Sequence, residues 1–401
     1  ERAQQNGATF DADTGIAMNS IWRKGALALT QGELDPLVSD YVTDDSQLLY
    51  RRDINERLHT MAPFLKFGSD PYPVVADGRI TWVIDGYTTS DTYPNSQFAN
   101  TAGLAPDSDL TQGRFNYLRA SVKATVDAYD GTVTLYRTER QGGDDPILDA
   151  WSRVYPGAFT PISEMPAGIR AHLRYPVDML KVQTNMLGRY HVTDPDLFLD
   201  GSRNWVVSGD PGSDIEGSDP APGGIPPVAQ VLDTSTGEGP RWVGVRPFNL
   251  GSAANANSPR AALSAFALAD NDDGEKLELL TVPSPDGSDG QTQIGGPSVV
   301  QAAINGDTEL SQQFTLLSAG GSTVRFGAMT LVPNGKDVLY VRPVYVTANG
   351  PDATQQLVEV LAYADGLVGR GSTLEEALNN LRQPVATAPE TVAADAGTPD
   401  G

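Results

Sequence analysis

The sequence predicts an α+β protein in which antiparallel, hairpin-rich sheets pack with amphipathic helices, and three observations predict it. First, Val74 to Ile84 is an apolar run broken by Asp77-Gly78, a dipeptide suited to the positive backbone angles of a two-residue hairpin turn. Second, Phe115 to Tyr136 repeats that design around Asp130-Gly131, and Val122, Ala124 and Val126 alternate there with Ser121, Lys123, Thr125 and Asp127. Such a two-residue period predicts a strand with one buried and one wet face. Third, Met179, Leu180, Val182, Met186 and Leu187 form an apolar stripe at a helical period behind Pro176, with Gly188 as its expected stop.

The remaining elements follow in chain order. Residues 1–15 are polar and predict a flexible N-terminus. Ile16, Ala17, Ile21, Trp22 and Ala26 to Leu29 suit an amphipathic helix, and Ile54, Leu58 and Met61 suit another over 53–61 that Pro63 stops. Ile147, Leu148, Trp151 and Val154 place a third helix before Pro156-Gly157. Gly209 to Pro227 has almost no apolar content, which makes 209–227 a linker or loop insertion between an N-terminal α+β part (16–208) and a C-terminal α+β part (228–383). Strands are expected at Val228 to Leu232, Trp242 to Arg246, Ala262 to Ala269 and Leu277 to Val282, with polar turns such as Asn271 to Gly274. After a loop from Pro283 to Gly296, Pro297 opens a helix, and Leu310, Phe314 and Leu317 extend a helical stripe to Gly320-Gly321. Strands at Thr323 to Val332 and Asp337 to Val346 meet around Asn334-Gly335, and a strand at Leu357 to Tyr363 meets Asp365-Gly366. Ser372 with Glu375 predicts a capping box for a helix carrying Leu374, Leu378 and Leu381, and 384–401 reads as a disordered tail.

Composition sets the functional bounds. With 401 residues, 39% of them hydrophobic, the chain can bury a sizeable core, while 41 glycines and 29 prolines imply many turns. The 51 acidic residues against 28 basic ones give a net charge of −23, which repels phosphate backbones and anionic head groups, so no nucleic-acid partner is expected. The absence of cysteine excludes a disulfide scaffold, a thiolate metal site and a cysteine nucleophile. No uninterrupted apolar run reaches the roughly 18 residues that a membrane-spanning helix needs. The chain opens at Glu1 rather than Met, which reads as a fragment or a processed product.

Several ordered blocks resemble a known group. They include Leu48 to Ile54, Ala62 to Leu65, Asp70 to Pro94, Asn116 to Gly131, Ile169 to Pro176, Gly188 to Pro195, Ser311 to Phe314 and Tyr340 to Tyr345. Together they look like the soluble C-terminal region of uncharacterised protein family 0182, a group of bacterial multi-pass membrane proteins. The resemblance implies attachment to the cell membrane through an N-terminal transmembrane region absent from this chain, with the soluble part on the extracytoplasmic side. It brings no catalytic residues.

Candidate chemistry is sparse. Tyr72, Trp82, Tyr87 and Tyr93, with Arg79 and Asp91, suit a sugar-stacking or peptide-binding rim at the end of the first hairpin, against a structural role in which Trp82 is core. Asp85 and Asp127 lie at strand ends beside aromatics and suit paired-carboxylate chemistry. His172 and His191 flank the Pro176 helix beside Arg174, Tyr175, Arg189 and Tyr190, at a spacing that matches no zinc motif. Asn271 to Glu275 fails the calcium-loop template, because Ala269 would occupy its first ligand position. No metal and no cofactor are therefore expected. The sequence points to a binding or interaction module for an envelope glycan or partner protein, more than to an enzyme. The alternative is a carboxylate- or histidine-based hydrolase of cell-envelope polymers.

Overall fold

In a computed structural model, residues 14–32, 35–38, 42–138, 145–210, 229–233, 241–252, 255–270, 276–282, 294–319, 322–334, 337–348 and 354–382 are described. The expected N-terminal tail up to residue 13, the linker from 211 onward, the turns at 271–274 and Gly335, Gly320-Gly321 and the C-terminal tail lie outside these residues. The architecture is α+β. Two compact units are built from 1–187 with 230–244 and 267–278, and from 188–229 with 245–266 and 279–401.

The first unit carries a six-stranded sheet in the order Lys66–Phe67, Arg79–Ser90, Tyr117–Asp127, Val133–Arg137 and Phe159–Pro161, with Tyr72–Ala76 also paired to Arg79–Ser90. All pairs are antiparallel except the last, where Leu135 lies opposite Phe159. The first hairpin closes as its turn residues demand. Ala76 faces Arg79, and Asp77 and Gly78 adopt φ of 52° and 76°. The second hairpin departs from the expected two-residue turn: Val126 faces Val133, and Asp127 Oδ1 accepts the N–H groups of Tyr129 and Asp130 at 2.8 and 3.1 Å. That side chain stabilises a longer loop in which Gly131 alone takes a positive φ, of 74°.

The expectation of one wet face on Tyr117–Asp127 is corrected. Val122, Ala124 and Val126 enter one core with Leu58, Leu65, Ile84 and Leu148, while Ser121, Lys123 and Thr125 on the other face are buried as well. Helices account for this. Ile54–Met61, capped by Asp53, and Pro146–Val154, capped by Asp145, bring Leu58 and Leu148 to the first face. Met165, Ile169 and Leu173 pack with Tyr72, Val74, Val83 and Tyr136 in a separate core. A third cluster joins Tyr87, Leu110, Phe115 and Ala120 to Met179 and Val182 of the helix Val177–Tyr190. Met61 and Val154, expected on buried stripes, are half or more exposed. At the N-terminus, Ile16–Ala17 is a strand against Gln47–Leu48, and the helix begins at Ile21.

Gly188 does not end its helix. It sits inside Val177–Tyr190, and a Cβ there would strike the carbonyl oxygen of Trp205. Trp205–Val207 is antiparallel to Arg241–Ser252, with Leu250 opposite Trp205 and Phe248 opposite Val207. These strands belong to a five-stranded sheet that also holds Ala229–Asp233, Asn255–Asp270 and Lys276–Thr281.

The second unit contains another five-stranded antiparallel sheet, in the order Ser322–Phe326, Asp337–Ala348, Gln355–Ala364 and Leu367–Gly371, with Thr330–Asn334 also on Asp337–Ala348. The single strand expected from Thr323 to Val332 is therefore two. Between them the Met329 N–H donates to the buried Asp210 carboxylate at 2.9 Å rather than to a strand. Pro297–Gly306 and Thr308–Ala319 are separate helices. The capping box lies one residue later than expected, with Thr373 Oγ1 accepting from the Glu376 N–H and Glu376 accepting from Ser372. Among the described residues, no helix is long and apolar enough to cross a membrane.

Candidate functional site

The candidate site residues separate into three settings. Tyr72 and Tyr87 are 5% and 1% exposed, because Tyr72 packs with Met165, Ile169 and Leu173, and Tyr87 with Leu110, Phe115 and Met179. Tyr93 is exposed and stacks on Tyr117 at 5.5 Å, and Asp91 is exposed. Arg79 lies on the surface, where it pairs with Asp127 at 2.9 Å and Asp130 at 3.1 Å.

The second setting is a buried polar centre. Asp85 lies directly opposite Lys123, whose Nζ reaches Asp85 Oδ1 at 2.5 Å and the Arg174 carbonyl at 2.7 Å. The Arg174 N–H donates to Tyr72 Oη at 3.1 Å, while its guanidinium lies over the rings of Tyr72 and Trp242 at 4.5 and 5.0 Å. Burial pushes the Asp85 carboxyl above its usual range, and the neighbouring Lys123 charge opposes that rise. Tyr175 is buried and donates to Gln183 Oε1 at 2.7 Å. The His172 ring Nδ1 meets the Gly168 carbonyl at 2.8 Å, within its own turn. The structure thus brings Tyr72, Asp85 and Arg174 together, but inside the sheet's packing.

The third setting opens to solvent. In the second unit a cavity of about 300 Å³ is lined by His191, Thr193, Asp194, Leu197, Arg203, Trp205, Leu250, Ser264 and Thr281, with two valines. His191 stacks on Trp205 with ring centroids 3.6 Å apart, and Trp205 leans on Phe248 at 5.7 Å. The close approach at Gly188 fixes the backbone of Trp205 behind that wall. Asp194 caps the helix Pro195–Asp200, and its Oδ1 accepts the N–H groups of Asp196 and Leu197 at 2.9 and 3.1 Å. Apolar walls with a few convergent polar groups are the general form of a small-ligand site.

Of the sequence candidates only His191 lines this cavity. Arg203 and Trp205 carry no motif, and Leu250, Ser264 and Thr281 join them through strand pairing, which no local pattern signals.

A second cavity, of about 460 Å³ in the first unit, includes Asp53, Arg57, Trp82, Asp127 and Tyr129. Its principal charges already have structural duties. Asp53 caps a helix, Arg57 donates to the carbonyls of Tyr50, Arg51 and Gly131, and Asp127 holds Arg79.

Comparison with known proteins gives a consistent result. The Uncharacterised protein family (UPF0182) model matches residues 1–317. A UPF0182 protein of Clavibacter michiganensis subsp. michiganensis is 37% identical over 423 residues, covering 100% of this chain and 42% of the relative. A UPF0182 protein of Arthrobacter sp. is 37% identical and one of Paenarthrobacter aurescens 39% identical, each over 391 residues and 93% of this chain. The chain spans only 37% and 38% of those two proteins. No solved structure matches.

Proposed function

Because the chain belongs to the uncharacterised protein family UPF0182, we propose that it is the extracytoplasmic binding module of a longer membrane-attached protein, and that it captures an envelope glycan or partner protein. The observation that carries this reading is the His191–Trp205 stack, 3.6 Å between centroids, on the wall of the cavity. Aromatic slabs edged by hydroxyls and charges suit capture of a ring-bearing ligand. The relatives, more than twice the length of this chain, leave ample sequence for a membrane portion. The hydrolase alternative needs two carboxylates about 5 to 9.5 Å apart across a cleft. Among the described lining residues the cavity offers Asp194 alone, and one of its oxygens is committed to the helix cap.

The test is co-sedimentation of the purified chain with insoluble cell-envelope material, alongside assays for released sugar and peptide. Saturable sedimentation that Trp205→Ala weakens at least tenfold, with no release of product, is the expected result. Turnover that Asp85→Asn or Asp127→Asn abolishes would replace the module reading with the hydrolase.

A further inference from the structure

Arg203 is the one arginine among the described residues that line the His191–Trp205 cavity. With 51 acidic side chains for 28 basic ones, acid partners are abundant, and Arg57 at the second cavity binds three backbone carbonyls. Arg203 is half-buried in the cavity lining, where its charge acts on Asp200 and, after the Ser202 hydrogen bonds, helps hold that carboxyl below its usual range. Both nearby carboxylates also accept hydrogen bonds from their own neighbours. Asp194 caps its helix, and Asp200 accepts from Ser202 at 2.7 Å.

A guanidinium in a cavity wall favours a planar oxyanion that takes two parallel N–H bonds. In the same cavity the His191–Trp205 stack supplies a ring-sized apolar wall, while Thr193 and Ser264 supply hydroxyl groups. From this combination we propose that the cavity is selective for an acidic saccharide, whose carboxylate is bound by Arg203 and whose ring lies along the His191–Trp205 wall. The volume of about 300 Å³ suits one sugar ring at the small end of ligand sites. The inference rests on the binding-module reading and adds the ligand class. It also explains how an acidic protein can hold an acidic ligand: the attraction is confined to one cation in the cavity wall, so it should weaken with salt.

Ligand-observed NMR and calorimetry on the whole chain, with D-glucuronate, D-glucose and inorganic phosphate as probes, test this. D-glucuronate should bind at least tenfold more tightly than D-glucose, and Arg203→Gln should erase that difference while leaving the thermal midpoint unchanged. Equal binding of the two sugars, or a difference that survives Arg203→Gln, overturns the assignment. Inorganic phosphate that competes as strongly as D-glucuronate overturns the saccharide part and leaves a simple anion site. Failure here is separable from failure of the module reading: envelope material that co-sediments equally with wild type and Arg203→Gln defeats only the acidic-ligand inference.

Discussion

Asp85 and Lys123 face each other across adjacent central strands with Oδ1 and Nζ 2.5 Å apart, and both side chains are at most 10% exposed. The pair occupies the face that sequence alternation assigned to water. Removing one partner strands the other charge in the core, which costs about 3–5 kcal/mol, whereas replacing both with apolar groups is often neutral or better. Lys123→Met and Asp85→Leu are each expected to lower unfolding free energy by that amount, with Asp85→Leu/Lys123→Met recovering most of it. Denaturant titration of the four proteins forms the double-mutant cycle, and additive losses would show that the two charges act independently.

Asp145 gives the fold an acid-sensitive clamp. Burial would raise its carboxyl, but hydrogen bonds from Ser121, Thr88, the Ile147 N–H and Tyr117 outweigh that and hold it below the usual range. Because the folded value lies below the unfolded one, the stabilisation is complete above the ordinary carboxylate value of about 4 and is lost as pH falls through the folded value. Asp145→Asn should therefore flatten the acid limb of a stability-against-pH curve and cost about 1–3 kcal/mol at neutral pH. An acid limb unchanged by the substitution would assign the sensitivity to other carboxylates. Tyr117, pushed up to about 12 by burial and then by the Asp145 charge, remains a donor throughout that range.

What the sequence made legible follows from how local each determinant is. Asp77-Gly78 announced its turn because the required positive φ is a property of those two residues. Asp130-Gly131 announced a turn but not its length, which depends on Asp127 capturing two backbone N–H groups. The burial of Lys123 was invisible, since alternation cannot reveal that helices cover both faces of a sheet. Gly188 resembled a helix stop because its contact with Trp205 is made across 17 residues of sequence. For the same reason the cavity wall went unread, apart from His191.

Gly188→Ala tests whether that close approach sets the cavity wall. The new methyl would collide with the Trp205 carbonyl, and forcing a methyl into packed structure costs about 1–3 kcal/mol. The helix propensity gain of alanine over glycine, about 1 kcal/mol, would offset part of this. The expected result is a lowered thermal midpoint, with D-glucuronate affinity falling as Trp205 is displaced. A higher midpoint, as propensity alone would give, shows that the backbone of Trp205 yields without resistance.

Arg246 poses the opposite question, that of a charge whose removal should help. It is 2% exposed on the strand Arg241–Ser252, and none of its guanidinium nitrogens has a hydrogen-bond partner among the described residues. Burial pulls it down to about 10, so the protonated form carries its full desolvation cost throughout the neutral range. With no hydrogen-bond partner among the described residues to offset that cost, Arg246→Met, of similar volume, should raise unfolding free energy at pH 7 by about 1–4 kcal/mol. Arg342→Met is the counterexample within the same unit, because it deprives the buried Asp210 of a cation 3.2 Å away and should destabilise by about 3–5 kcal/mol. Guanidinium titration of both variants distinguishes the cases. If Arg246→Met instead lowers stability, Arg246 is held by a bound anion or by an acid outside the described residues, and only in the first case do added sulfate or phosphate stabilise the wild type but not the variant.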